Sequence, residues 1–277
     1  MSRIQSSIEI AKSSWQVLKA DKELLLLPIL STLATLATIA LFLVPIFASS
    51  ADLANWEPGA AHYVTLFVMY LVLAYITIFF NAALVSAAYE RLNGGDPTVG
   101  SALRGAARRA GKILPWAIIS ATVSLILRSL EERAGIVGRI VIGLVGMAWA
   151  VVTFLVLPII VVEGLGATEA VRKSADMFRR TWGENLAAQV GLGFVGFLAS
   201  LPGIGVLFLG VSNGMLVIVA LGVLWLAMVA IVMATLSGIY QTALYLYAAD
   251  GTVPGIYYDD QSFAEAFRSR REQRRYR

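Results

Sequence analysis

The chain has no cysteine and a single histidine, His62. Without cysteine there is no disulfide framework, no thiolate-bound zinc or iron–sulfur centre and no catalytic thiol. Charge is scarce as well. Asp, Glu, Lys and Arg make up 14% of the 277 residues, against about 25% in soluble domains. Recognisable catalytic signatures are missing too: there is no nucleophile elbow, phosphate-binding loop or HExxH. Apolar residues fill the space, with AVILMFWYC at 58%. A globule of this size cannot bury that much apolar surface, and so apolar a chain is not disordered.

The apolar residues come in runs long enough to cross a bilayer, for which about 20 residues suffice at 1.5 Å each. Leu24–Ser49 carries no charge, and His62–Ala88 carries none if His62 is neutral. Ile113–Leu127 is short and reaches Leu130 only by including Arg128, while Ile140–Val162 is a fourth run. Leu186–Ala249 has no charged residue at all and must turn somewhere. The turn candidates are Pro202-Gly203-Ile204-Gly205 and Gly210–Gly214. Two spans, 186–209 with a kink at Pro202 and 215–249, bring the expected total to six. The last is longer than a bilayer needs, so it tilts or projects into the cytoplasm.

The basic residues set the orientation. With the N-terminus inside, 19 of the 22 Lys and Arg fall on the inner side, leaving only Arg128, Arg133 and Arg139 outside. Both termini are then cytoplasmic. The first 23 residues are interrupted by polar side chains, which does not read as a cleavable signal peptide.

The segments between hairpins resemble one another. Residues 2–19 space Ile4, Ile8, Ala11, Trp15 and Leu18 helically, and residues 168–182 do the same with Val171, Ala175, Phe178 and Trp182. Ser101–Lys112 is a weaker, alanine-rich version with Arg104, Arg108 and Arg109. Each reads as an amphipathic helix in the inner interface, followed by two spans. The return spans also match: Asn81 to Glu90 is nine residues, as is Gln241 to Asp250. Glu163-Gly164 ends the middle return span as Asp250-Gly251 ends the last. The expected fold is therefore all-α and polytopic, with three repeats of interfacial helix plus transmembrane hairpin. A single transmembrane domain covers 1–255, with repeats at about 1–90, 91–163 and 164–250, and a basic cytoplasmic tail covers 256–277.

Two blocks carry a likeness to known proteins. One runs from Ser14-Trp15 to Lys22-Glu23-Leu24. The other runs from Pro158 to Glu163-Gly164, then Ala170-Val171-Arg172-Lys173-Ser174 and Trp182. They resemble a family of uncharacterised six-helix membrane proteins of bacteria and archaea and, more loosely, the membrane domain attached to some glycerophosphodiesterases. The resemblance implies a helical membrane fold and no reaction. The catalytic domain of such phosphodiesterases is a separate soluble unit, and these 277 residues do not contain one.

Few residues stand out for chemistry. Gly191-Leu192-Gly193-Phe194-Val195-Gly196 matches GxGxxG, but it lies inside an apolar span, and no acid follows before Asp250. Close helix packing through small residues explains it. No ionisable residue lies near the middle of a predicted span, which argues against a proton relay or voltage sensor. Asn81 and Gln241 sit at matching depths and either line a polar cavity with Tyr75, Tyr240 and Thr242 or bond neighbouring helices. Glu90, Glu163 and Asp250 stand at inner span exits, where Arg104 and Arg172 are candidate ion-pair partners. The alternative for these three acids is a metal or substrate site. His62, with only Asp52 and Glu57 nearby in sequence, reads as an interfacial residue rather than a ligand. In the tail, Arg268, Arg270, Arg271, Arg274 and Arg275 follow an S-x-x-E capping box at Ser262 and Glu265. They suit anionic lipid or a protein partner, and no folded module accompanies them to suggest nucleic acid.

The functional expectation is a membrane protein without catalytic activity or cofactor. It supports another membrane protein assembly, self-associates or organises lipid, with anionic headgroups on the inner side as partners. The alternative is a transporter or channel-like permease for a small or amphiphilic solute. An enzyme acting on lipid headgroups comes third and requires Glu90, Glu163 and Asp250 to converge.

Overall fold

A computed structural model describes residues 3–49, 59–181 and 187–250. All regular structure among them is helical. Helix α1 (Arg3–Ala20) leads through a short 3-10 helix (Lys22–Leu25) into α2 (Leu26–Ser49), and α3 follows (Ala60–Leu92). Then come α4 (Val99–Ala107), α5 (Ala110–Arg133), α6 (Ile136–Thr153), α7 (Val156–Glu163) and α8 (Ala167–Thr181). Helices α9 (Ala187–Ser212) and α10 (Leu216–Asp250) complete the described chain. Among the described residues six stretches are long and apolar enough to cross a membrane: Lys22–Ile46, Ala60–Leu92, Ala110–Arg133, Ile136–Glu163, Val195–Ser212 and Leu216–Asp250. The protein is a multi-pass membrane protein.

Three details differ from the sequence expectation or decide between its alternatives. The last hairpin turns at Asn213–Gly214, where Gly214 takes φ +66°, and α9 continues through Pro202. Proline removes one backbone donor, and in an apolar helix packed against a neighbour that loss is tolerated. The fourth span is interrupted instead, because Phe154 and Leu155 form a turn between α6 and α7. Finally, the basic segment expected over Ser101–Lys112 is not one helix. α4 stops at Ala107, and Ala110–Lys112 open the spanning helix α5.

The chain forms two compact units. The first draws on Met1–Pro28, Ala87–Val99 and Asp176–Arg277. In it α1 packs on α9 and α10, and the 3-10 helix packs on α10. Val17, Leu18, Leu24 and Leu27 are buried, as are Leu236, Ile239, Tyr240, Ala243 and Leu244 of α10. The α9–α10 hairpin is closest at glycines: a Cβ on Gly222 would lie 2.8 Å from the Leu207 nitrogen, and one on Gly210 would lie 2.6 Å from that of Val219. Gly196 of the GxGxxG string similarly abuts the Met233 side chain.

The second unit comprises Ile29–Ser86 and Gly100–Ala175. Here α5 packs on α6 and α7. Trp116 and Trp149 stack with ring centres 6.2 Å apart, and the Tyr70 hydroxyl donates to the Ala121 carbonyl at 3.2 Å. Gly105 of α4 lies so near Ser86 that no side chain fits between them.

Burial is distributed in the same way along all three return helices. No residue of α3 over 60–81 is buried, whereas Ala82–Val85, Ala87, Ala88 and Leu92 are. None of α6 is buried, and Val156–Val161 of α7 all are. In α10 only Gly222 is buried before Thr235, after which burial dominates to Leu246. The unburied stretches measure about 33, 27 and 28 Å at 1.5 Å per residue. Each therefore matches a hydrocarbon core of about 30 Å by itself. Exposed Leu, Val, Ile and Phe line these stretches, as a lipid-facing surface requires.

Candidate functional site

The polar groups gather where those buried stretches end. In the second unit the site forms at two chain corners. α4 gives way to α5 at Arg108 and Arg109, and the Lys112 and Ile113 amides both bond the Arg109 carbonyl. α7 stops at Gly164, whose φ of +67° suits glycine and whose amide bonds the Ile160 carbonyl at 3.1 Å. Arg109 Nε donates to the Val161 carbonyl at 3.2 Å, and Lys112 Nζ donates to the Gly164 carbonyl. Two cations thus hold the last carbonyls of α7, where the helix dipole is negative.

The following helix ties back to the same place. Glu169 Oε2 accepts the Gly166 amide at 3.2 Å, and Lys173 pairs with Glu163 at 2.5 Å. Both members of that pair are partly solvated, so it adds about 0–1 kcal/mol. Ser174 is 1% exposed. Its Oγ donates to the Val152 carbonyl at 2.5 Å and accepts the Leu155 amide at 3.3 Å, so one hydroxyl spans the α6–α7 interruption. In all, residues 100–112 and 163–175 at these corners carry six cations (Arg104, Arg108, Arg109, Lys112, Arg172 and Lys173) against two acids, Glu163 and Glu169.

The first unit has a smaller polar knot. Asp21 is 7% exposed and caps the 3-10 helix, its Oδ1 accepting the Glu23 amide at 3.1 Å. Its Oδ2 is buried without a hydrogen-bond partner among the described residues. Burial raises the carboxyl above its ordinary range, while the Glu23 amide and the Arg91 charge pull it down; the neighbouring Glu23 and Asp96 charges add slightly to the rise. Arg91 Nη1 reaches the Gly95 carbonyl at 3.2 Å and Asp96 at 3.3 Å. Glu23 Oε2 accepts the Val99 amide at 3.3 Å, which caps the start of α4. No group of three or more Asp, Glu or His among the described residues could hold a metal ion.

The residues singled out from sequence are spread between the units. Asn81 is exposed at the last position before the buried end of α3, and Tyr75 lies against Phe79 with ring centres 6.0 Å apart; both belong to the second unit. Tyr240, Gln241 and Thr242 belong to the first. Tyr240 is buried and Gln241 half-buried, while the Thr242 hydroxyl donates to Gly238 of its own helix at 2.8 Å. Glu90 is half-buried and Asp250 exposed, both in the first unit, whereas Glu163 of the second pairs with Lys173. Arg104 turns back on the Gly100 carbonyl at 3.1 Å, and Arg172 is exposed with no ion pair among the described residues. His62 Nδ1 accepts the Gly59 amide at 3.1 Å and so helps cap α3. Arg268, Arg270, Arg271, Arg274 and Arg275, with Ser262, Glu265 and Trp182, lie outside the described residues. So do the side chains of Ile4, Ile8 and Ala11.

Arg109, Lys112, Lys173, Ser174 and Asp21 are the side chains whose roles are not evident from sequence. A partial signal exists, since Glu163-Gly164 marks a helix end and cations favour such ends. Nothing local says that the cations arrive from a different helix.

The chain belongs to a family of unknown function (DUF6159), whose model matches residues 60–255. The match covers α3 to α10 and includes the Pro158–Ser174 block, while the Ser14–Leu24 block precedes it. No curated protein matches the chain.

Proposed function

We propose that this family member is a non-enzymatic accessory or scaffold protein of the cytoplasmic membrane, associating with another membrane protein assembly or organising the lipid around it. Both termini lie inside, as the 19 to 3 division of basic residues favours. The architecture is three repeats, in which α1, α4 and α8 each precede a spanning hairpin. Their buried positions correspond: Ser14 and Val17 in α1, Ala102 and Ala106 in α4, Ala170, Ser174 and Met177 in α8.

One observation carries the reading. The polar residues at the inner helix ends hold backbone and one another: Arg109 on Val161, Lys112 on Gly164, Lys173 on Glu163, Glu23 on Val99. Within each unit such groups fix the helix ends, which suits a docking body more than a reaction centre. The tail arginines Arg268 to Arg275 add attraction to anionic lipid at about 1 kcal/mol each near the surface.

Affinity purification of the full chain in native lipid tests this. A co-purifying membrane protein or retained lipid is expected. Recovery of the chain alone, stripped of both, overturns it.

A transporter or channel-like permease is the second reading, favoured by the interruption between α6 and α7, since broken helices line solute sites in transporters. Under it, proteoliposomes carrying the chain take up a small or amphiphilic solute, and Ser174→Ala alters that uptake more than it alters stability. Absence of uptake across a panel of such solutes overturns it.

A further inference from the structure

Arg104 and Arg108 stand four residues apart, and the Arg108 amide still bonds the Arg104 carbonyl at 3.0 Å. The two side chains therefore share one helix face. Both are exposed. Arg104 Nε is occupied by the Gly100 carbonyl, and Arg108 has no side-chain hydrogen bond or ion pair among the described residues. α4 contains no acidic residue. Two like charges at this spacing repel, and Arg109 and Lys112 lie immediately beyond them. The carbonyls that Arg109 and Lys112 cap do not neutralise them. With six cations against two acids, the paired corners have a formal excess of four positive charges.

Two residues after Arg108 the lipid-exposed helix begins. Gly111 has open space where a side chain would stand, and exposed Leu114 and Ile118, three and seven residues on, share its face of α5. A ligand that satisfies this surface has a phosphate at one end and apolar chains at the other.

We propose that Arg104 and Arg108 form a binding site for the phosphate of an anionic phospholipid, backed by the charge of Lys112, with the acyl chains along Leu114 and Ile118. The site deepens the lipid-associating reading above and rests on it. A planar guanidinium matches phosphate oxygens with paired N–H donors, which a lone lysine does not. The bound anion relieves the Arg104–Arg108 repulsion and fixes the inner end of α5 against the headgroup layer.

The test uses the full chain in nanodiscs of phosphatidylcholine with a minor fraction of phosphatidylglycerol, followed by native mass spectrometry of the lipid retained. The wild type is expected to retain phosphatidylglycerol over phosphatidylcholine. Arg104→Gln with Arg108→Gln is expected to lower that preference by about 25-fold, near fivefold for each cation lost. Arg128→Gln with Arg133→Gln, at the opposite end of α5, should leave it unchanged. Inorganic phosphate in the buffer should not displace the lipid, since the acyl contacts are part of the site; displacement by phosphate alone overturns the lipid assignment. Should the glutamine pair fail to fold, rising salt applied to the wild type must abolish the preference. A salt-insensitive preference, or a folded glutamine pair that keeps it, overturns the proposal. Co-purification of a protein partner with the glutamine pair distinguishes failure of this site from failure of the scaffold reading.

Discussion

Ser174 of α8 joins both sides of the interruption in the fourth span, holding the Leu155 amide at 3.3 Å and the Val152 carbonyl at 2.5 Å. A break in an apolar helix frees backbone groups that lipid cannot satisfy. Here a side chain from outside the span satisfies them, so α7 is tied to α8.

Ser174→Ala is expected to destabilise the protein by about 1–3 kcal/mol, because it leaves a buried donor and acceptor unmatched. Thermal unfolding in detergent measures this. A change within about 0.5 kcal/mol would show that the Leu155 and Val152 groups find partners without Ser174.

Gly164→Ala meets two obstacles. A Cβ there would collide with the Arg109 guanidinium, and φ of +67° costs an L-residue about 1–2 kcal/mol. In an Arg109→Ala background the steric part disappears while the backbone part stays. A double-mutant cycle should therefore show a smaller penalty for Gly164→Ala in that background. Equal penalties would mean that Arg109 does not pack on Gly164.

The α9–α10 hairpin predicts a contrast between two glycines. Gly222→Ala puts a Cβ within 2.9 Å of the Leu207 backbone, which cannot swing aside, and should cost about 1–3 kcal/mol. Gly205→Ala meets nothing within 4 Å in the same hairpin and should be neutral or gain up to about 1 kcal/mol. Unfolding transitions of the two variants settle the order.

Asp21 gives a pH dependence. Burial lifts its folded-state value above the ordinary 3.8, so folding penalises the ionised form. The contribution to stability is fully present below 3.8, where both states are protonated, and is lost as pH rises through the raised folded value. Asp21→Asn keeps an oxygen to cap the 3-10 helix and removes the charge. Its melting temperature should therefore depend less on pH than the wild type's across that interval. A wild type that instead gains stability relative to the variant as pH rises would mean that Arg91 outweighs burial.

The absence of cysteine makes topology measurable with single substitutions. Asn93→Cys, in the α3–α4 loop, should react with an impermeant maleimide only after cells are permeabilised. Glu132→Cys, near the end of α5, should react in intact cells. The reverse pattern would invert the orientation assigned from the basic residues.

The number of spans, their approximate limits and the all-helical class were legible from the chain alone. An apolar run of about 20 residues has no stable option in water, and that property belongs to the run itself. The same local logic located charge: the basic residues cluster between runs, and counting them requires no partner. Where the long Leu186–Ala249 stretch turns was half-legible, since both candidate segments contain glycine; Gly214, with its positive φ, makes the turn, and Pro202 stays helical. Which stretch of each return helix is buried, that the fourth span breaks at Phe154–Leu155, and that Arg109 and Lys112 close α7 were decided only by tertiary structure. Each depends on a residue distant in sequence arriving at the right place, as Ser174 does nineteen positions after Leu155. Hydrophobicity places a helix in the membrane, but it is the same for a residue facing lipid and one facing protein. Only the neighbours distinguish the two, and with them the part of the chain that binds from the part that merely spans.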